Sequence, residues 1–139
     1  MLRIKAGALE NMFDHCKKEK EKTGNEACGY LAGENGLITH AFPIPNDAQS
    51  PTYYEMNSGS QLKRQKEIRS EGLEHMANYH SHVATQARPS VRDIDNATKT
   101  QEYFDGYYVI VTLENSMPQA KAFIIRDGSI LREEDLIPE

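Results

Sequence analysis

The chain has 139 residues, a length that fits one domain and leaves no room for two ordinary domains with a linker. Its composition, 38% hydrophobic and 27% charged, is that of a folded globular protein and excludes a disordered or fibrous one. The formal net charge of −5 argues against nucleic-acid binding, which needs a clustered basic surface. We therefore expect one domain over residues 1–139, with no nucleic-acid partner.

The amino-terminal segment and the cysteines bear on the compartment. Residues 1–10 lack the apolar run of a secretory signal, and no segment approaches the ~20 apolar residues that cross a bilayer. Cys16 and Cys28 do not form a C-x-x-C pair, and we interpret both as reduced, small, buried residues. The sequence therefore predicts a cytoplasmic protein without a membrane partner.

The first half of the chain predicts a helix, a hairpin and a loop. Apolar residues recur at i, i+3, i+4 and i+7 within 6–22, which is typical of an amphipathic helix. Apolar runs at 27–33 and 36–42 flank an Asn-Gly turn and predict a β-hairpin that Glu26 opens. Three prolines within 43–51 predict an irregular surface loop.

The second half predicts two helices and four strands. Helix formers occupy 58–75, and a short strand follows at 76–82. Ser90 begins a further helix with a capping-box-like pattern, although Asp93 stands where Glu or Gln is usual. Strands are predicted at 107–113, at 120–126 and from residue 129 onward. This order indicates an α/β fold, a mixed sheet with helices packed on it.

His80 and His82 are candidate metal ligands because residues i and i+2 of a strand point to the same face. Asp93 would add a carboxylate, and two histidines with one carboxylate leave a fourth position for water, as in catalytic zinc sites. Each feature also has a simpler explanation, since paired histidines occur by chance and Asp93 suits a helix N-terminus. The ligand set alone also permits iron or manganese.

Glu26 and Ser90 are the remaining site candidates. Zinc lowers the pKa of a bound water to about 7, and a nearby carboxylate can accept its proton, so Glu26 is a candidate general base. Taken alone, Glu26 is more simply an exposed charge at a strand end. Ser90 is a helix N-cap candidate whose hydroxyl can still face a substrate.

Together these residues match the JAMM motif: His80-x-His82, seven intervening residues, Ser90-x-x-Asp93, and an upstream Glu26. The chain resembles the JAMM (MPN+) zinc metalloproteases over nearly its full length. The resemblance implies the cytidine-deaminase-like JAMM fold, a curved mixed β-sheet flanked by helices. It also implies Zn²⁺ bound by the two histidines and Asp93, Glu26 as the general base and Ser90 as a donor to the oxyanion.

The sequence between the ligands resembles one branch of this family. Residues 26–29 and 87–90 are similar to the small bacterial enzymes that process ubiquitin-like sulfur-carrier proteins after a Gly-Gly tail. That branch implies a zinc-dependent peptidase or isopeptidase whose partner is such a carrier. DNA-repair-associated relatives carry Asn where this chain has Ser81. The family usually has proline, which would stiffen the loop, where this chain has Val83.

The tail of the carrier is expected to lie extended in the cleft, paired with a strand edge. Tyr53, Tyr54 and Met56 are candidates for lining its path, although an aromatic pair beside a strand more often belongs to a core. The other histidines, at positions 15, 40 and 75, have no partner at ligand spacing and are interpreted as packing or surface residues.

Other functions remain open at this point. A non-catalytic MPN-type scaffold is favoured by loss of a ligand or of the glutamate, and neither is lost. A deubiquitinase-like isopeptidase has inserted segments for which 139 residues leave little room. A zinc deaminase needs a P-C-x-x-C pair, which Cys16 and Cys28 cannot supply. A cysteine hydrolase using Cys28 would not respond to a chelator.

Overall fold

A computed structural model describes residues 1–139 as seven strands and three helices. The strands are β1 (Leu2–Ile4), β2 (Cys28–Glu34), β3 (Leu37–Ile44), β4 (Glu74–His82), β5 (Tyr107–Thr112), β6 (Gln119–Arg126) and β7 (Ser129–Pro138), and the helices are α1 (Ala6–Thr23), α2 (Ser58–Ser70) and α3 (Val91–Lys99). The strand order is β1-β3-β2-β4-β5-β6-β7, and β1 also pairs with β7, so the sheet curves until it closes. The predicted mixed α/β architecture is confirmed.

The structure differs from the sequence prediction at three element boundaries. The strand β1 was not predicted, because three residues are too short to show a pattern and their partners β3 and β7 are distant in sequence. The predicted end of α2 at residue 75 is wrong: Gly72 adopts a left-handed conformation with φ 70°, and β4 begins at Glu74. The hairpin is opened by Cys28 and not by Glu26.

Local sequence accounts for the helix and hairpin that open the fold. α1 buries Ala8, Met12 and Cys16 and ends where Gly24, at φ 77°, donates its N–H to the carbonyl of Lys20. The β2–β3 hairpin turns through two residues with positive φ, as expected for an Asn-Gly turn. None of the three helices is both long and apolar enough to cross a lipid bilayer.

The helices cover opposite faces of the sheet. The largest core cluster joins α1 to alternate residues of β2, β4 and β5, among them Leu31, Tyr79 and Val109. Two smaller clusters, one containing Ile68 of α2 and the other Ala97 of α3, cover the opposite face. Because side chains alternate along a strand, the neighbours of Tyr79 project toward the α2 and α3 side. Two histidines at the carboxyl end of β4 thereby reach that face.

Candidate active site

The pairing of β2 with β4 brings Glu26 beside the histidines. The pairing extends to Ala27, the residue before β2. The N–H of Ser81 donates to the carbonyl of Ala27 (3.0 Å), and the N–H of Ala27 donates to Ser81 Oγ (2.8 Å). One residue further along this antiparallel register, Glu26 lies opposite His82. Residues from two separate strands therefore meet at one point of the sheet.

Three potential ligand atoms form a nearly equilateral triangle. His80 Nε2 and His82 Nε2 are 3.2 Å apart, and each lies 3.1 Å from Asp93 Oδ2. All three side chains are buried, with exposed fractions of 8% or less. They are brought together by the end of β4 and the first turn of α3. No other group of three or more His, Cys, Asp or Glu side chains in the chain has this arrangement.

The ring of His82 is oriented by the loop that follows β4. Its Nδ1–H donates to the carbonyl of Gln86 (2.9 Å), so in the neutral imidazole it is Nε2 that carries the lone pair, directed at the triangle. Thr112 Oγ1 donates to the carbonyl of Thr85 (2.6 Å) and holds the same loop against β5. These bonds fix the loop without the proline that Val83 replaces.

His80 is oriented by packing. Its ring stacks on Tyr54 with centroids 4.5 Å apart and an interplanar angle of 27°. Its Nδ1 is buried without a hydrogen-bond partner. The aromatic contact therefore replaces the hydrogen bond that holds the other imidazole, and Tyr54 becomes part of the site.

Asp93 and Ser90 form the predicted capping box at the start of α3. Ser90 Oγ accepts the N–H of Asp93 (3.0 Å), and Asp93 Oδ2 accepts the N–H of Ser90 (3.0 Å). Burial opposes ionisation of Asp93, but the two imidazoles and the Ser90 amide hold its pKa well below the usual range. Burial also opposes protonation of His82, yet bonding to Asp93 and Gln86 raises its pKa.

The carboxyl group of Glu26 is buried without a hydrogen-bond donor. Its side chain is 3% exposed, and Oε1 has no partner. Burial raises the pKa of Glu26 to about 8; His82 lowers it and Asp93 raises it further by smaller amounts. Such a carboxyl group, near ligand atoms and poised to exchange a proton close to neutral pH, suits acid–base chemistry.

A cavity of about 500 Å³ adjoins the triangle on the side of Tyr54. Its walls come from β2, α2, β4, α3 and β5, from the 54–56 segment and from the residues after α3. Its aromatic lining consists of Tyr30, Tyr54, His75, Tyr103, Phe104 and Tyr108. Met56 also lines it, whereas the ring of Tyr53 packs under the guanidinium of Arg92 at 4.1 Å. The hydroxyl of Tyr108 is buried without a partner. Sequence reasoning missed most of this wall, because its residues are scattered over five elements and two connecting segments without common spacing.

The two cysteines are unsuited to nucleophilic chemistry. Both are free and fully buried. Burial raises the pKa of each thiol to about 12, and the Cys28 thiol donates to the carbonyl of Ile44 at 3.3 Å. Because the thiolate is the nucleophile, this environment argues against a cysteine hydrolase.

Comparison with known proteins identifies the family of the chain. Residues 5–124 match the family described as prokaryotic homologs of the JAB domain. The CysO-cysteine peptidase of Mycobacterium tuberculosis is 33% identical over 136 residues, covering 96% of this chain and 88% of that protein. The probable TtuB-protein conjugate cleaving protease of Thermus thermophilus is 37% identical over 98 residues, covering 70% of this chain and 64% of that protein.

A solved structure is also similar over the whole chain. The solution structure of a Desulfitobacterium hafniense protein has a TM-score of 0.84 and 30% identity, covering 100% of this chain and 93% of that one. The family match spans most of the chain, and the first of these relatives exceeds 30% identity over nearly all of it. This chain therefore belongs to the family of prokaryotic homologs of the JAB domain.

Proposed function

We propose that residues 1–139 form a single zinc-dependent peptidase domain that hydrolyses the bond after the C-terminal Gly-Gly tail of a ubiquitin-like or sulfur-carrier protein. The observation that carries the proposal is the buried triangle of His80, His82 and Asp93, with the carboxyl group of Glu26 beside it. Two relatives support the substrate class, because their names describe a peptidase and a protease that act on CysO-cysteine and on TtuB-protein conjugates.

The three ligand atoms fit a zinc ion. Zinc with tetrahedral bonds of about 2.0–2.1 Å holds its ligand atoms about 3.3 Å apart, close to the 3.1–3.2 Å found here. Two imidazole nitrogens this close, one of them with its lone pair facing inward, are stabilised by a cation between them. Two histidines and one aspartate would hold the ion and leave a fourth position for a water molecule or substrate.

The chain's own groups then perform the proton transfers. When bound, zinc supplies a Lewis acid that polarises the scissile carbonyl and makes water more acidic. Glu26 accepts a proton from the attacking water, whose oxygen forms the new C–O bond. As the C–N bond breaks, Glu26 returns that proton to the departing amine and is regenerated as a carboxylate.

Ser90 is assigned the role of a donor to the oxyanion. Its oxygen already accepts the N–H of Asp93, which leaves the hydroxyl proton free to donate elsewhere. The side chain is exposed at the start of α3, next to the ligand Asp93. A hydroxyl held by a helix cap in this way donates without reorganisation during the reaction.

The aromatic cavity is assigned to the residue that precedes the Gly-Gly pair. β1 closes the sheet by pairing with residues 37–38 of β3 and 136–138 of β7, far from Tyr54, and we place the tail along the cavity that Tyr54 lines. Tyr54 both lines this cavity and stacks on His80, so only residues without large side chains pass from the cavity to the scissile bond. This path accounts for a Gly-Gly requirement.

The test combines metal content and cleavage in wild type, Glu26→Ala and Glu102→Ala, the last being an exposed control. Purified proteins are assayed for zinc and for hydrolysis of a sulfur-carrier protein with a C-terminal cysteine extension, with and without a chelator. We expect all three to bind zinc and only Glu26→Ala to lose cleavage, and we expect a Gly-Gly to Gly-Val substrate to resist wild type.

Each alternative predicts a different result. Zinc binding without cleavage by any variant would favour a non-catalytic scaffold. Cleavage of a lysine-linked conjugate but not of the cysteine extension would favour a deubiquitinase-like isopeptidase. Cleavage that survives the chelator, or activity restored by manganese or iron but not by zinc, would refute the zinc mechanism.

A further inference from the structure

The 45–57 segment is an ordered loop whose two ends are joined. Asn46 and Met56 form an isolated antiparallel bridge. The N–H of Asp47 donates to the carbonyl of Glu55 (2.8 Å), and the N–H of Asn57 donates to the carbonyl of Pro45 (3.0 Å). Of the three prolines that predict an irregular surface loop, Pro43 lies in β3, and Pro45 and Pro51 belong to a closed structure beside the active site.

The carboxamide of Asn46 uses its full hydrogen-bonding capacity on backbone groups. Oδ1 accepts the N–H groups of Ala48 and Glu55, each at 3.0 Å. Nδ2 donates to the carbonyls of Glu26 (3.0 Å) and Tyr53 (3.2 Å). Two donors and two acceptors are thus all satisfied by one side chain. Three of these four bonds lie within the loop, and the fourth crosses to the segment before β2.

The backbone of Glu26 is held by this loop. Glu26 lies two residues before β2, outside that strand. Its N–H donates to the carbonyl of Ser50 (2.9 Å), and its carbonyl accepts Asn46 Nδ2. Both polar backbone groups of Glu26 are therefore anchored to the 45–57 loop. Its side chain, which has no hydrogen bond at Oε1, depends on this backbone for its position.

The same carboxamide fixes Tyr54. The residues on either side of it, Tyr53 and Glu55, are bonded through their carbonyl and N–H to the two ends of the Asn46 side chain. Tyr54 therefore lies between two peptide groups that Asn46 holds, and its ring stacks on His80. Nδ1 of His80 has no hydrogen bond, so the stacking on Tyr54 is what orients this imidazole.

We propose that Asn46 is a positioning residue that sets the general base Glu26 and the aromatic wall Tyr54 at the same time. This inference rests on the proposed function for the role of Glu26. The physical reason is that one side chain joins the segment of the base to the segment that covers His80. A displacement of about 1 Å at a reacting group is enough to reduce a rate by about a hundredfold.

The test uses Asn46→Asp, which replaces only the donor nitrogen and turns a carboxylate oxygen toward two carbonyls, together with the milder Asn46→Ala. The matched control is Asn57→Ala, at the other end of the loop. Asn57 caps α2 through Ser60 and contacts Asp47 but neither Glu26 nor Tyr54. We expect Asn46→Asp to lose about a hundredfold in kcat with zinc content retained, Asn46→Ala to lose about tenfold, and Asn57→Ala to lose thermal stability but not kcat.

A second measurement distinguishes failure of this proposal from failure of the proposed function. In zinc-free protein, amide hydrogen exchange by NMR should accelerate at Glu26 in both Asn46 variants and at Glu55 in Asn46→Ala, which alone removes the acceptor of the Glu55 N–H, and should stay unchanged at both positions in Asn57→Ala. Faster exchange with no substrate cleaved by wild type would keep the positioning role and remove the assigned reaction. Unchanged exchange at Glu26, or a kcat loss no greater than that of Asn57→Ala at equal stability, would overturn the inference.

Discussion

Replacing Glu26 with glutamine tests whether the buried carboxyl group destabilises the zinc-free fold. Burial raises the pKa of Glu26 from an ordinary 4.5 to about 8. Below pH 4.5 the carboxyl group is neutral in both the folded and the unfolded chain, so its full contribution to stability is present. As the pH rises from 4.5 to 8, the unfolded chain ionises while the folded chain stays protonated, and that contribution is lost.

The magnitude follows from the interval between the two pKa values. Each pH unit within it costs about 1.4 kcal/mol, and because each state is only half ionised at its own pKa, the loss between pH 4.5 and pH 8 is about 4 kcal/mol at most. Glutamine has a similar shape and does not ionise. We therefore expect Glu26→Gln to match wild type near pH 4.5 and to exceed its free energy of unfolding at pH 8 by as much as that amount.

Urea denaturation in the presence of a chelator, at several pH values between 4.5 and 8, measures this difference. Glu102→Gln serves as the control, because Glu102 is exposed and its removal should leave the pH dependence unchanged. Other ionisable groups are common to all variants and cancel in the comparison. Equal stability of wild type and Glu26→Gln at pH 8, or a gain that grows as the pH falls, would show that the carboxyl group is not held neutral by burial.

Three further substitutions test separate parts of the site and its support. Ser90→Gly should retain zinc, and its free energy of unfolding should fall by only about a few tenths of a kcal/mol because glycine is an adequate N-cap, yet its kcat should fall about 10²–10³-fold. Ser90→Thr should restore both the stability and kcat. Thr112→Val removes the bond to the Thr85 carbonyl, and chelator competition should show zinc affinity reduced by up to about tenfold with the ligands intact. Gly29→Ala should lower the free energy of unfolding in urea by about 1–3 kcal/mol, because its methyl group would lie 2.5 Å from the Phe42 carbonyl oxygen and the Tyr79 ring. The control Gly7→Ala, whose methyl group would have nothing within 4 Å, should not destabilise the fold. Each prediction has its own contrary result. Full activity in Ser90→Gly would contradict the oxyanion role, and unaltered zinc affinity in Thr112→Val would contradict the support from Thr85. Equal stability of the two alanine variants would contradict the close packing at Gly29.

Local rules predicted the parts of this chain whose signals are local. The two-residue spacing of His80 and His82 and the capping-box spacing of Ser90 and Asp93 depend on the periodicities of a strand and a helix, and both are found. The end of α2 was misjudged because helix formers continue past Gly72, whose left-handed conformation decides the boundary. Polar helix formers alone do not locate such a stop.

The remaining features depend on contacts between distant segments. β1 is a strand only because β3 and β7 flank it, and three residues carry no periodicity of their own. Asn46 reads as an ordinary turn residue among prolines, since asparagine commonly bonds to a nearby backbone amide. Its bond to Glu26, twenty residues earlier, exists only after β2 and β3 have paired. The aromatic cavity likewise assembles from five elements that are distant in sequence.

Several groups at the site serve folding and chemistry together, which limits how the chain can be altered. Asp93 Oδ2 accepts the Ser90 amide that begins α3 and is also the oxygen closest to both imidazoles. An oxygen held in this way cannot move away from the histidines without uncapping the helix, so the fold itself sets the spacing of the three proposed ligand atoms. The low pKa of Asp93 and the raised pKa of Glu26 are opposite outcomes for two buried carboxyl groups in one site. Burial raises the pKa of both groups, but at Asp93 the charge of His80 and hydrogen bonds from both imidazoles and the Ser90 amide outweigh it, whereas Glu26 Oε1 accepts no hydrogen bond. This difference suits the proposed roles of a ligand and a base.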